Sequence, residues 1–111
     1  MYQKLVIVGN LGSDPEMRYT QSGQAVTSFS VATNRRYNDK DETTWFRVSV
    51  WGNQAEACSK YLEKGRKVLV EGRLTPDENG GPRVWEDKSG NARASFEISA
   101  TTVQFLSGKD E

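Results

Sequence analysis

Leu5-Val6-Ile7-Val8 is an unbroken apolar, β-branched run ended by Gly9-Asn10. It is too short for a helix and continuous enough for a strand covered on both faces. One of those faces is expected to meet another subunit. Gly12-Ser13-Asp14-Pro15 and Ser22-Gly23 supply turn chemistry before a second strand, Ala25 to Thr33, in which Phe29 and Val31 alternate with Ser28, Ser30 and Ala32. A polar loop, Asn38 to Glu42, leads into a third strand, Thr44 to Trp51. Its period is two: Phe46, Val48 and Val50 hold one parity, while Trp45, Arg47, Ser49 and Trp51 hold the other. The first set reads as core, which leaves two indoles and a guanidinium on the opposite face.

The period then changes. Asn53 is placed to cap a short helix, with Glu56 as its capping-box partner, Lys60 and Lys64 at the C-terminal dipole and Gly65 as the stop. Ala55, Cys58, Tyr61 and Leu62 share a helical face expected to be buried. A fourth strand, Lys67 to Leu74, sets Val68, Val70 and Leu74 on one parity and Lys67, Leu69, Glu71 and Arg73 on the other. Pro76 to Pro82 interrupts, Arg83-Val84-Trp85 resumes as an arm, and Arg93 to Val103 forms the last strand with Phe96 and Ile98. The pattern predicts an all-β fold: a five-stranded Greek-key barrel of the oligonucleotide-binding (OB) type with one short helix between strands 3 and 4.

A chain of 111 residues suits one such domain, expected over 1–106, with 107–111 as the start of a missing or truncated C-terminal tail. No apolar run approaches the ~18 residues that span a bilayer, and the N-terminus lacks the regions of a signal peptide. A soluble, cytoplasmic protein is expected, with no membrane association. The 15 basic and 15 acidic residues cancel, so any polyanion site must be a local patch. With no histidine and a single cysteine, the chain lacks the residues for histidine acid/base chemistry, Ser-His or Cys-His nucleophiles and a zinc site of the usual kind. Cys58 is expected to pack as a small buried hydrophobe. No cofactor and no catalysis are anticipated.

Unpaired nucleic acid presents a line of phosphates and a series of flat base faces, so a sequence-tolerant binder uses aromatic platforms interleaved with cations. Trp45, Arg47 and Trp51 supply that pattern on one strand face. Arg83 with Trp85 repeats it on the arm, and Tyr37, after Arg35-Arg36, is a further platform. Tryptophans are often core or interface residues, but Phe46, Val48 and Val50 already fill the inward positions of this strand. Three other readings compete: a primosome-type or RNA-binding barrel of the same fold, a magnesium nuclease, and a protein that uses its tryptophans for subunit contacts. A nuclease needs strand-held carboxylates, whereas Asp39, Asp41 and Glu42 fall in a polar loop.

These residues resemble the bacterial and organellar single-stranded DNA-binding proteins from Lys4 to Leu106. The resemblance lies in Val8-Gly9-Asn10-Leu11-Gly12 with Asp14-Pro15-Glu16 and Arg18-Tyr19, Phe29-Ser30-Val31-Ala32-Thr33, and Trp45-Phe46-Arg47-Val48 with Trp51-Gly52. It continues through Ala55-Glu56 with Tyr61-Leu62-Glu63-Lys64-Gly65, Val70-Glu71-Gly72-Arg73-Leu74 and Trp85 before Asp87 and Gly90. It implies an OB-fold, a homotetramer and sequence-independent binding of single-stranded DNA in replication, recombination and repair, in a nucleoid-associated setting. By position it implies base stacking at Trp45, Trp51, Trp85 and Tyr37 and backbone contacts near Arg47, Lys64, Arg73 and Arg93. Thr75 to Pro82 looks like an insertion relative to the family. Recruitment of replication and repair proteins is implied only for a chain that carries the family's acidic C-terminal tail.

Overall fold

The structure, a computed structural model, describes residues 1–106. Seven strands and one helix follow one another as β1 (Leu5–Leu11), β2 (Glu16–Tyr19), β3 (Ala25–Tyr37), β4 (Lys40–Trp51), α1 (Asn53–Tyr61), β5 (Lys67–Leu74), β6 (Arg83–Glu86) and β7 (Ala92–Phe105). Five of them, in the order β1-β5-β7-β4-β3, close on themselves because β1 also pairs with β3. That is the expected OB barrel, with the helix between its third and fourth strands. All the barrel ladders are antiparallel except β4 against β7, which is parallel. β2 extends the sheet beyond β3, and β6 folds back on the start of β7 as a two-stranded arm.

The interior is built by the predicted parities. Phe29 and Val31 from β3, Val48 and Val50 from β4, Val68 and Val70 from β5 and Ile98 from β7 are all buried. Phe46 and Phe96 stack at the barrel rim, centroids 5.9 Å apart, with Phe46 packed against the core and Phe96 half exposed. Helix α1 closes the other part of the barrel with Ala55, Cys58 and the following Leu62. The buried Thr27 hydroxyl donates to the Ala55 carbonyl at 2.6 Å. Gln54 clasps β7: its Nε2 donates to the Thr101 carbonyl, and its Oε1 accepts from the Val103 amide. Thr101 is the extra residue of a β-bulge, since Glu71 pairs with Thr102 while Gly72 pairs with Ala100.

Several local expectations are corrected. Gly52, at φ 72°, is the N-cap of α1, and Asn53 is the first helical residue without a capping side chain, so no capping box forms. The helix has ended by Leu62, whose amide bonds to the Cys58 carbonyl; Gly65, at φ 93°, turns the loop beyond it. Tyr61 stays exposed beside Phe105 and under Lys60, because the helical face is narrower than the apolar spacing suggested. Leu74, on the parity of Val68 and Val70, is exposed at the end of β5 although it pairs with Ile98. The expected Asn38 to Glu42 loop shrinks to two residues: Asn38 and Asp39, at φ 51° and 61°, form a primed turn that suits the strand twist. The strands therefore run on as a long β3–β4 ribbon.

Cys58 is buried, and burial pushes its thiol up to about 11, so at neutral pH it is a packed, protonated side chain. On β1, Ile7 faces the core while Val6 and Val8 remain half exposed. Their outward neighbours across the β1–β5 ladder are Glu71 and Leu69.

Candidate nucleic-acid interface

Directly paired residues of adjacent strands share a face, so the ladder register assembles the outward surface row by row. One row runs Arg18, Val26, Trp51 across β2, β3 and β4. The next runs Glu16, Ser28, Ser49, Ser99, Arg73, reaching β5 through β7. A third joins Ser30, Arg47 and Glu97, and a fourth joins Ala32 and Trp45. Along β7 the same parity continues to Ser95 and Arg93, which pair with Arg83 and Trp85 on the arm. Small serines (Ser28, Ser30, Ser49, Ser95 and Ser99) stand between the aromatic and cationic side chains of this surface.

Trp45, Trp51 and Trp85 are 52%, 40% and 37% exposed, which separates them from the buried core. Trp45 owes its position to Gly12: a Cβ there would overlap Cζ3 of the indole and lie 2.6 Å from Cη2, so the ring rests on bare main chain. The Gly12 amide is itself fixed to the Ser30 carbonyl, and the Ser13 and Ser30 hydroxyls are bonded at 3.2 Å. Trp51 ends β4 just before the Gly52 turn. Trp85 carries the Arg83 guanidinium over its ring, 4.6 Å from the centroid.

The cations differ in freedom. Arg47, Arg73 and Arg18 make no ion pair among the described residues, and all three lie on the outward rows. Arg93 is held by Asp87 at 2.9 Å. Asp87 is kept below the usual carboxylate range by the Asn91 amide first, then by Arg93 and the Ser89 amide. Lys64 sits in the loop after α1, where its backbone amide donates to Asp14 and ties that loop to the segment carrying Gly12. Arg35 and Arg36 are paired with Glu42 and Asp41 along the ribbon.

The structure thus brings Trp45, Trp51, Arg47 and Arg73 onto one face and joins Trp85 and Arg93 to it through β7. It does not bring Tyr37 there. Tyr37 pairs with Lys40 on the parity of Val31 and Phe46, the opposite face of the ribbon, with Arg35 stacked 4.9 Å from its ring. Arg18 was not singled out by sequence reasoning. Its strand, Glu16–Tyr19, is only four residues long and exposed throughout, so the alternation of Met17 and Tyr19 with Glu16 and Arg18 is too brief to mark a strand and buries no face. The signals it does carry are its spacing from Glu16 after a turn and its place in the Arg18-Tyr19 element of the family resemblance.

A closed five-stranded Greek-key barrel with an aromatic and basic outer face defines the protein as one of the OB-fold class. A model of the single-strand binding protein family matches residues 2–106, and the chain belongs to that family. It is 42% identical to Single-stranded DNA-binding protein 1 of Chlorobaculum tepidum, over 96% of this chain and 66% of that protein. It is 39% identical to the single-stranded DNA-binding protein of Wolinella succinogenes, covering 98% of this chain and 67% of the relative. The identity to the Helicobacter hepaticus single-stranded DNA-binding protein is also 39%, over 98% and 64% of the two chains. The chain therefore spans about two thirds of the length of these relatives. The tail expected from 107 onward lies outside the described residues. No described helix is long and apolar enough to cross a membrane.

Proposed function

We propose that this protein binds single-stranded DNA without sequence preference and without catalysis, as a homotetramer serving replication, recombination and repair in the bacterial nucleoid. The observation that carries the reading is the outward face on which Trp45, Trp51, Arg47, Arg73 and Arg18 stand together, while the opposite parity of β4 and β5 places Val48, Val50, Val68 and Val70 in the core. Bases stack on the indoles, and the arginines track the phosphates between them. Trp85 extends the path along the arm, and Tyr37 takes the strand where it passes round the ribbon. Lys64 and Arg93 add phosphate contacts at the margins, Arg93 after release from Asp87. The half-exposed Val6 and Val8, beside Leu69, form the apolar patch that a second copy covers. The relatives' names point to the same ligand, and a C-terminal tail in the full-length protein would recruit other enzymes of DNA metabolism.

Titration with poly-dT, with a mass measured by light scattering, tests this reading. The expected result is strong quenching of tryptophan fluorescence and a tetrameric mass at micromolar concentration. A DNA-insensitive emission overturns the ligand, and a monomeric mass overturns the assembly. Binding an RNA strand of equal length more tightly would move the protein to the RNA-binding alternative.

Two substitutions probe the parts. Arg47→Ala should make the plot of log affinity against log salt shallower by about 0.7 for each phosphate that the arginine neutralises. An unchanged slope and affinity would leave Arg47 as a solvated side chain. Gly12→Ala should lift the Trp45 ring from its seat, weakening DNA binding by up to the ~1–3 kcal/mol of one stacked base. Because Trp45 is half exposed and can rotate away, the thermal midpoint should hardly move. Normal affinity in this variant would show that the seat does not set the platform.

A further inference from the structure

The three tryptophans do not offer a base the same surface. Trp45 has one face closed by the main chain at Gly12. Trp51 makes no aromatic-pair or cation–π contact among the described residues. Trp85 has a movable cover: Arg83, two residues earlier on the same face of β6, lays its guanidinium 4.6 Å from the ring centroid. Arg83 makes no ion pair among the described residues. Arg35, stacked comparably on Tyr37, is instead tied to Glu42 at 3.0 Å. The ring is therefore what holds Arg83 in place.

We propose that Arg83 and Trp85 form a two-jawed clamp for one nucleobase: the guanidinium lifts from the indole, a base enters between them, and Arg83 closes on the base's second face. The clamp rests on the reading of this surface as a single-stranded DNA path. An exposed cation–π contact is worth about 2- to 5-fold in an equilibrium. A base stacked on an aromatic side chain is worth about 5- to 150-fold, so a base can displace the guanidinium. Insertion needs a retreat of only about 3.5 Å, the thickness of one more layer of atoms in contact. Once displaced, a planar, weakly hydrated guanidinium can restack on any base, whereas a lysine ammonium offers a charge without a plane. Arg93, directly across from Trp85, cannot serve as the jaw while Asp87 holds it. The arm thus grips a base on two sides, whereas Trp45 supports one on a single side.

Planarity separates this clamp from a plain phosphate contact. The test uses a Trp45→Phe/Trp51→Phe background, in which Trp85 alone emits, with Arg83→Lys, Arg83→Ala and Trp85→Ala added singly. Affinity is read by anisotropy of a labelled dT oligomer and of an abasic oligomer of equal length. Expected is a ~3- to 10-fold loss for dT with Arg83→Lys, close to that with Arg83→Ala, while abasic binding by Arg83→Lys and the thermal midpoints hold steady. Wild-type dT affinity in Arg83→Lys reduces Arg83 to a phosphate contact and overturns the clamp. Tighter binding by Arg83→Ala makes Arg83 a competitor of the base and overturns it too, as does a lowered midpoint in both Arg83 variants. If Trp85→Ala binds dT normally, Trp85 is no base platform and the underlying reading fails at the arm. If Trp85→Ala weakens binding while Arg83→Lys does not, the clamp alone fails.

Discussion

Replacing Trp45, Trp51 and Trp85 together by alanine should abolish measurable poly-dT binding while leaving a folded barrel. Each stacked base contributes ~1–3 kcal/mol by alanine substitution, so three platforms on separate parts of the surface carry roughly 3–9 kcal/mol between them. The arginines left behind supply only a salt-sensitive remainder. Stability should survive because none of the three indoles is buried: all are more than one third exposed, and the core side chains of β4, Val48 and Val50, belong to the parity opposite Trp45 and Trp51. A core tryptophan behaves in the opposite way, costing ~3–5 kcal/mol of folding free energy through the cavity it leaves. Trp51 is the sharpest single test. It ends β4 opposite Val26, which is buried, so its inner edge has an apolar neighbour although its outer face is free. Trp51→Ala should weaken dT binding by ~1–3 kcal/mol with little change in the thermal midpoint. Loss of several kcal/mol of stability with normal DNA affinity would turn Trp51 into a packing residue and remove the central part of the proposed path.

This surface is partly legible in the sequence because β4 carries its own answer. Strict alternation over Trp45 to Trp51 separates core from exterior without knowledge of any other strand, and the burial of Val48 and Val50 agrees with it. What alternation cannot supply is register between distant strands. Arg73 joins Arg47 and Trp51 only through β7, whose parallel pairing with β4 aligns Ser99 with Ser49. No local pattern in Lys67 to Leu74 encodes that alignment. Tyr37 shows the converse limit: its place after Arg35-Arg36 suggests one continuous platform, but a two-residue turn extends the ribbon and parity carries Tyr37 to the other face. At the helix start, a capping box is a side-chain signal, and Gly52 turns the chain through a positive φ instead. The Leu5 to Val8 run is apolar on both parities, and Val6 and Val8 stay half exposed on the outer one. That half is the patch proposed above to meet a second copy, and a single sequence carries no signal of what covers it.

Gly9→Ala should be strongly destabilising, lowering the thermal midpoint by at least ~10 °C. The barrel closes between β1 and β3 through only two register pairs, Asn10 with Ala32 and Leu11 with Val31, whereas its other ladders are longer. Gly9 stands at the edge of that seam, where a Cβ would overlap the Ala32 carbonyl oxygen and lie 2.8 Å from Cγ1 of Val31. The main obstacle is backbone, so no rotamer relieves it, and the two strands must part. Overpacking costs ~1–3 kcal/mol when side chains can adjust, and here the upper end or more is expected. Against the ~5–15 kcal/mol that holds a domain together, that is a large share. Gly81→Ala is the control, because a Cβ there meets nothing within 4 Å and its midpoint should be unchanged. The seam also leads directly to Gly12, so the folded fraction of Gly9→Ala should bind poly-dT more weakly through a displaced Trp45. A Gly9→Ala protein that melts with the wild type would mean that β1 and β3 are not sealed at this point, and with the seal would go the rigid seat on which the first base platform depends.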